Sequence, residues 1–180
     1  MKEDLNSLST TKLLLIMEGL ERRMGEFYGA VAAKFTEPDD VRIFWESLAQ
    51  QESVHATVIQ TLSNMNRNNP SMFTDFVKVD QITIDKIEEF IKGSEGKIES
   101  EDFDLDAAFK EAYELETLEI NEIYDRIIQS PSEPFKAVIS HLVDSEDAHL
   151  NSLVQAILKY ASSDELKKKA ENLRSSLSTH

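Results

Sequence analysis

Cysteine is missing altogether from the 180 residues, which excludes disulfides, thiolate metal sites and cysteine nucleophiles. Glycine and proline are scarce, five and four residues, and no low-complexity tract interrupts the chain. A folded, mostly helical globule is therefore expected, long enough for one domain over residues 1–180 with a sizeable core. Basic residues are outnumbered, 19 Lys and Arg against 34 Asp and Glu, for a formal net charge of −15. That balance argues against nucleic acid and anionic membranes as partners, because both select basic surfaces. Long apolar runs are missing too. The opening MKEDLNSLSTTKLLLIMEGLERR has one short run before charge returns, which fits neither a signal peptide nor a membrane span. The expected location is the cytoplasm.

What is present centres on FWESLAQQESVHATVIQTL, residues 44–62. Its apolar Phe44, Leu48, Ile59 and Leu62 form one stripe at helical spacing. Glu52 and His55 fall inside that stripe, on the same face. A carboxylate and an imidazole aimed at a core are costly unless something holds them. One such motif is explained more simply by a buried Glu–His pair or by a different helix register. A second occurs in HLVDSEDAHLNSLVQAIL, where Glu146 and His149 lie among Leu142, Leu153 and Ile157. Two other helices each offer an inward glutamate at a matching distance: Glu21 precedes Glu52 by 31 residues, and Glu116 precedes Glu146 by 30. The chain reads as two copies of one helical hairpin, each carrying Glu and then Glu-x-x-His.

In chain order, the first helix is expected over residues 10–35, with Met17, Glu21, Met24, Tyr28, Val31 and Phe35 on one face. Glu18 and Glu26 share faces with Arg22, Arg23, Gly25 and Gly29 and are expected in solvent. Tyr28 is either a core tyrosine with a bonded hydroxyl or a hydrogen-bonding neighbour of the site. Thr36 suits an N-cap and Pro38 the first turn of the second helix. So short a link makes these helices antiparallel neighbours. The second helix should dissolve at NMNRNNP, residues 64–70. Residues 66–103 then form a crossover holding one short helix near residues 83–92, broken by GSEG. The third helix is expected over residues 104–129, with Phe109, Ala112, Glu116, Glu119, Ile123 and Ile127 facing inward and Glu111, Glu114 and Glu122 exposed. SPSEP makes the next tight link, with Ser132 as a cap, and the fourth helix spans residues 133–160. Residues 162–180 form a C-terminal helix and tail, opened by a capping box at SSDE and packed outside the bundle.

Glu21, Glu52, Glu116 and Glu146 would bring four carboxylates together in a low-dielectric core. Without counter-charge they repel, and several take up protons. Two divalent cations supply four positive charges and leave His55 and His149 as neutral ligands. Glu119 adds a fifth negative charge, which suits a pair cycling to a more oxidised state. Mixed oxygen and imidazole donors suit iron or manganese. The expected metal ligands are Glu21, Glu52, His55, Glu116, Glu119, Glu146 and His149, around two iron ions, with manganese or a mixed pair as the variants. In di-iron carboxylate bundles two helices likewise give one Glu each and two give Glu-x-x-His. The competing account is a metal-free core whose polar residues satisfy one another.

These residues resemble the ferritin-like superfamily, and most closely its rubrerythrin-like branch, over residues 17–65 and 107–157. Glu21 with Tyr28 is similar to that family's first-helix ligand and its tyrosine neighbour. Glu52-x-x-His55 and Glu146-x-x-His149 are similar to its paired ligand motifs, and Glu116-x-x-Glu119 resembles the doubled glutamate on the rubrerythrin third helix. The resemblance implies an all-α, ferritin-like four-helix bundle of two antiparallel hairpins and a homodimer. It also implies that Glu116 bridges or binds terminally, with Glu119 as a redox-dependent extra ligand. Rubrerythrins further carry a rubredoxin-like segment with paired Cys-x-x-Cys motifs. With no cysteine, this chain lacks that built-in electron donor, so peroxide reduction would need an external donor protein.

Three functions follow. The first is an oxidoreductase whose reduced di-iron pair reacts with hydrogen peroxide or dioxygen, with Tyr28, Tyr113 and Tyr124 as candidate proton or hydrogen-bond donors. The second is iron handling, by ferroxidase action or iron transfer, which a large cage would favour. The third is a non-enzymatic binding module with a structural or degenerate site, against which the presence of all seven ligands weighs. His141, eight residues before His149, is read as an ordinary surface histidine or a hydrogen-bonding neighbour of the ligands, with contact at the edge of the site as the alternative.

Overall fold

The computed structural model describes residues 8–73, 76–77, 79, 81–119 and 133–177. Six helices carry the described chain: α1 (Thr10–Lys34), α2 (Asp39–Asn68), α3 (Gln81–Lys97), α4 (Leu105–Glu119), α5 (Glu133–Tyr160) and α6 (Asp164–Leu177). The expected helical class holds. A minimal antiparallel pair, β1 (Leu8–Ser9) with β2 (Phe76–Val77), sets Leu8 opposite Val77. Among the described residues no helix is long and apolar enough to cross a membrane.

Ser9 opens α1 by accepting the Lys12 backbone N–H at 3.3 Å. The expected stripe buries from Met17 to Val31, with Phe35 only partly buried at its end, and it is wider than the sequence pattern suggests, because Leu13, Leu14, Leu20 and Phe27 are buried beside it. The turn into α2 differs from expectation. Thr36 caps nothing; Pro38 holds the N-cap position in extended backbone without a side-chain hydrogen bond. Asp39 and Asp40 supply negative charge in the first turn instead. At the other end α2 runs to Asn68, through the asparagines expected to end it. The reason is tertiary: Asn66 is buried and donates to Thr11 Oγ1 at 2.9 Å. This bond and the one from Gln60 to Glu18 (3.1 Å) place the end of α2 beside the start of α1, so the two helices are antiparallel as expected. Glu26 is exposed, whereas Glu18, engaged by Arg22 at 2.8 Å, is half-buried.

The crossover carries a longer helix than expected. α3 continues through GSEG to Lys97 because its last turns are anchored on α4: Ser94 Oγ donates to Glu111 at 2.6 Å and Lys97 Nζ to the other oxygen at 2.7 Å. Glu111, expected in solvent, is buried for the same reason. Arg23 of α1 holds Glu95 with two bonds of 3.0 and 2.9 Å. That hydrogen-bonded pairing with Glu95 raises the Arg23 pKa above the usual guanidinium value. Lys12 reaches Gln81 at the start of α3, and Lys34 reaches the carbonyls of Ile98 and Ser100 just past its end. α3 therefore runs parallel to α1 and returns the chain to the end from which α4 departs. Asp104 caps α4 through the Ala107 N–H at 2.8 Å. Residues 120–132, with Tyr124, Glu122, Ile123, Ile127 and Ser132, lie outside the described residues.

α5 spans the residues expected of the fourth helix. Its end is tied to the start of α2, where Lys159 meets Asp40 at 2.8 Å and the Tyr160 hydroxyl bonds the same carboxylate. The Lys159 and Tyr160 bonds hold the exposed Asp40 carboxyl below the usual carboxylate range. The cap of α6 is Ser163, whose Oγ accepts the Leu166 N–H at 3.3 Å. The expected box at Ser162 does not form, because Asp106 of α4 takes the Ser162 N–H at 2.7 Å and its hydroxyl. Only Leu166 and Ala170 of α6 are buried, which fits a helix on the outside of the bundle. At the centre of the fold Trp45 stacks between Phe109 (5.0 Å) and Tyr28 (5.9 Å), all three fully buried.

Candidate metal centre

Four helices converge on one polar cluster in this core. α1 contributes Glu21, α2 Glu52 and His55, α4 Glu116, and α5 His149; each is 2% exposed or less. Helical spacing explains how they arrive there. Glu21 follows Met17 and precedes Met24 on the buried face of α1, and Glu52 and His55 continue the stripe of Trp45, Leu48, Ile59 and Leu62 on α2. Glu116 follows Phe109 and Ala112, while His149 precedes Leu153 and Ile157.

Glu52 is the hub. Its Oε2 lies 3.4 Å from His55 Nδ1 and its Oε1 3.3 Å from His149 Nδ1. Glu21 Oε2 lies 3.4 Å from the same His55 nitrogen, and Glu116 Oε1 lies 3.7 Å from His149 Nε2. The two imidazole centroids are 6.2 Å apart. Ligand atoms of Glu52, His55 and His149 all fall within 4.8 Å of one another, a grouping able to hold a metal ion. Five of the seven residues expected from the sequence are thus brought together. The side chains of Glu119 and Glu146, and that of His141, lie outside the described residues.

Two neighbours complete the surroundings. The Tyr28 hydroxyl donates to Glu116 Oε1, so it is both core tyrosine and neighbour of the site. Tyr113 is only partly buried. The outer nitrogen of His55, Nε2, is 2.9 Å from Ser145 Oγ. Ser145 carries no sequence signal of its own, since serine is common on helix faces; its place one residue before Glu146 is visible only once α5 lies against α2. Together with Ser47, Gln50, Gln51, Val54 and His55 it lines an open surface depression. The His55 ring is the wall between that depression and the buried carboxylates.

The donor set fits a metal. Three carboxylates crowd around two imidazoles in a closed, low-dielectric space, and removing such charges from water is costly unless opposite charge accompanies them. Oxygen and imidazole donors without thiolate suit iron or manganese. Ser145 fixes the ring of His55 so that Nδ1 points inward, and partners of this kind govern ligand strength. Ser145→Ala is accordingly expected to weaken metal binding by about 10–100-fold, with Ser145→Thr restoring it; competitive titration against a chelator measures this.

No protein-family model, curated protein or solved structure matches the chain, so a functional assignment rests on these residues alone.

Proposed function

We propose that the chain is a ferritin-like, rubrerythrin-type di-iron carboxylate protein that reduces hydrogen peroxide or dioxygen with electrons from an external donor protein. The observation that carries this reading is the buried grouping of Glu52, His55 and His149, with Glu21 and Glu116 completing its approach from two more helices. Those five residues would hold the metal pair, with Glu119 and Glu146 joining them on the strength of the sequence pattern. When bound, the pair supplies the redox equivalents and the Lewis acidity. The remaining work belongs to the chain. Tyr28 keeps a proton on its hydroxyl beside Glu116, Ser145 orients His55, and the Trp45–Phe109 wall excludes water from the Tyr28 side. With Glu119 and Glu146 included, five carboxylates would exceed the charge of two divalent cations, which favours iron because a more oxidised pair would balance them.

The test begins with metal content and thermal unfolding. Anaerobic loading with ferrous iron is expected to leave about two ions per chain, as the paired Glu-x-x-His pattern requires, and to raise Tm. The reduced, loaded protein should then consume hydrogen peroxide faster than the same concentration of free ferrous iron. Sub-stoichiometric metal with no rise in Tm would sink the metal reading. Stoichiometric binding with peroxide loss no faster than free iron would sink the peroxide chemistry alone.

A further inference from the structure

We propose that Gly25 is a positioning residue for Glu52, a role that rests on the metal reading above. Glycine is the poorest helix former short of proline, yet Gly25 stands in the interior of the 25-residue α1. The packing of α2 explains why. A methyl group added at Gly25 would lie 3.3 Å from Glu52 Cβ, 3.3 Å from the Ala49 carbonyl oxygen and 3.9 Å from Ser53 N. The first two distances are tighter than nine in ten real Cβ contacts, so the neighbours would have to give by a few tenths of an ångström. One of them is backbone, so a rotamer change does not relieve it: α2 must shift.

Glu52 rides on that shift. Its two oxygens face the two imidazoles at 3.4 and 3.3 Å, so one displacement disturbs both halves of the cluster. Ligand constellations tolerate displacements of only about 0.5 Å, and a few tenths uses up most of that. The close approach is particular to this turn. Gly19 and Gly29, on the same helix, have nothing within 4 Å of where a Cβ would sit. A surface groove lined by Arg22, Gly25, Glu26, Ala49 and Ser53 follows the contact. Gly25 therefore sets how deeply α2 seats against α1 at the hub of the site.

The matched control is built into the helix. Gly25→Ala and Gly29→Ala bring the same gain in helix propensity, and only the first meets α2. On the full chain, Gly29→Ala should raise the metal-free Tm by about 2–4 °C and leave manganese(II) affinity within about twofold, since it touches nothing near the ligands. Gly25→Ala should fall short of that Tm gain, weaken manganese(II) at least about tenfold and alter the electron paramagnetic resonance spectrum of the bound ion. Equal affinity and identical spectra in the two variants would overturn the role of Gly25 while leaving the metal reading standing. No manganese or iron binding by the unsubstituted chain would overturn both.

Discussion

Glu52→Gln is expected to abolish most of the stabilisation that metal brings while leaving the metal-free protein at least as stable as before. With free metal at about a thousandfold above Kd, binding to the native state adds about 4 kcal/mol, a rise in Tm of about 8–16 °C for a chain of this size. Among the described residues, Glu52 is the one carboxylate whose two oxygens face both His55 and His149. Its loss should weaken binding at least about a hundredfold. At the same metal concentration the stabilisation then drops to about 1.4 kcal/mol or less. The sign in the metal-free state is the more telling half. Glu21 and Glu52 each place an oxygen 3.4 Å from the same His55 nitrogen inside a closed core. A neutral amide of nearly the same shape removes one charge from that crowd. Calorimetry of both proteins, with and without metal, decides the matter. If the metal-free Tm falls on substitution, the carboxylate of Glu52 is worth more to the fold than a neutral amide, and the cluster is a self-compensated polar core.

The second large effect belongs to the wall beside the site. Trp45→Ala should cost about 3–5 kcal/mol, as truncation of a fully buried aromatic does, and lower Tm by about 6–20 °C. Trp45 is fully buried and meets Phe109, Phe44 and Tyr28. Phe44→Ala, next door in sequence but only partly buried, should cost less, since part of its surface stays in water. Because Tyr28 carries the hydroxyl that meets Glu116, the truncation at Trp45 should also loosen metal binding, and that at Phe44 should not. Parallel thermal melts separate the two; comparable losses would contradict the burial seen here.

That contrast also shows where sequence periodicity stops being informative. The stripe through Leu48, Ile59 and Leu62 was legible, but extending it back selects Phe44, when the helix turns Trp45 into the core. Adjacent aromatics differ by 100° around the helix axis, and apolarity alone does not choose between them. The cluster was more legible than the packing around it. Glutamate and histidine at matched spacings on inward faces are rare enough to stand out, and five of them meet. What escaped were features made by distant partners. Ser94 and Lys97 carry α3 through two glycines because Glu111 of α4 receives them. Asn66 keeps α2 helical because Thr11 of α1 accepts its amide. Asp106 draws Ser162 away from the cap it was expected to form. In each case local propensity pointed one way, and a hydrogen bond to a partner on another helix outweighed it.

α3 contributes no ligand, yet the bonds that lay it along α1 govern whether a centre assembles. Glu21, Glu52 and His55 precede it in the chain, and Glu116 and His149 follow it. Neither part alone carries the whole cluster. Fastened to α1 at Gln81, at Glu95 and beyond its last turn, α3 delivers the second set of ligands at the correct end and in the correct direction. Its effect is that of a leash, raising the local concentration of one half-site around the other to a level that free fragments reach only at about millimolar concentration. A chain cut on either side of α3 is thereby changed from a folding unit into a binding pair, whose cluster forms only as far as the concentration of each piece allows.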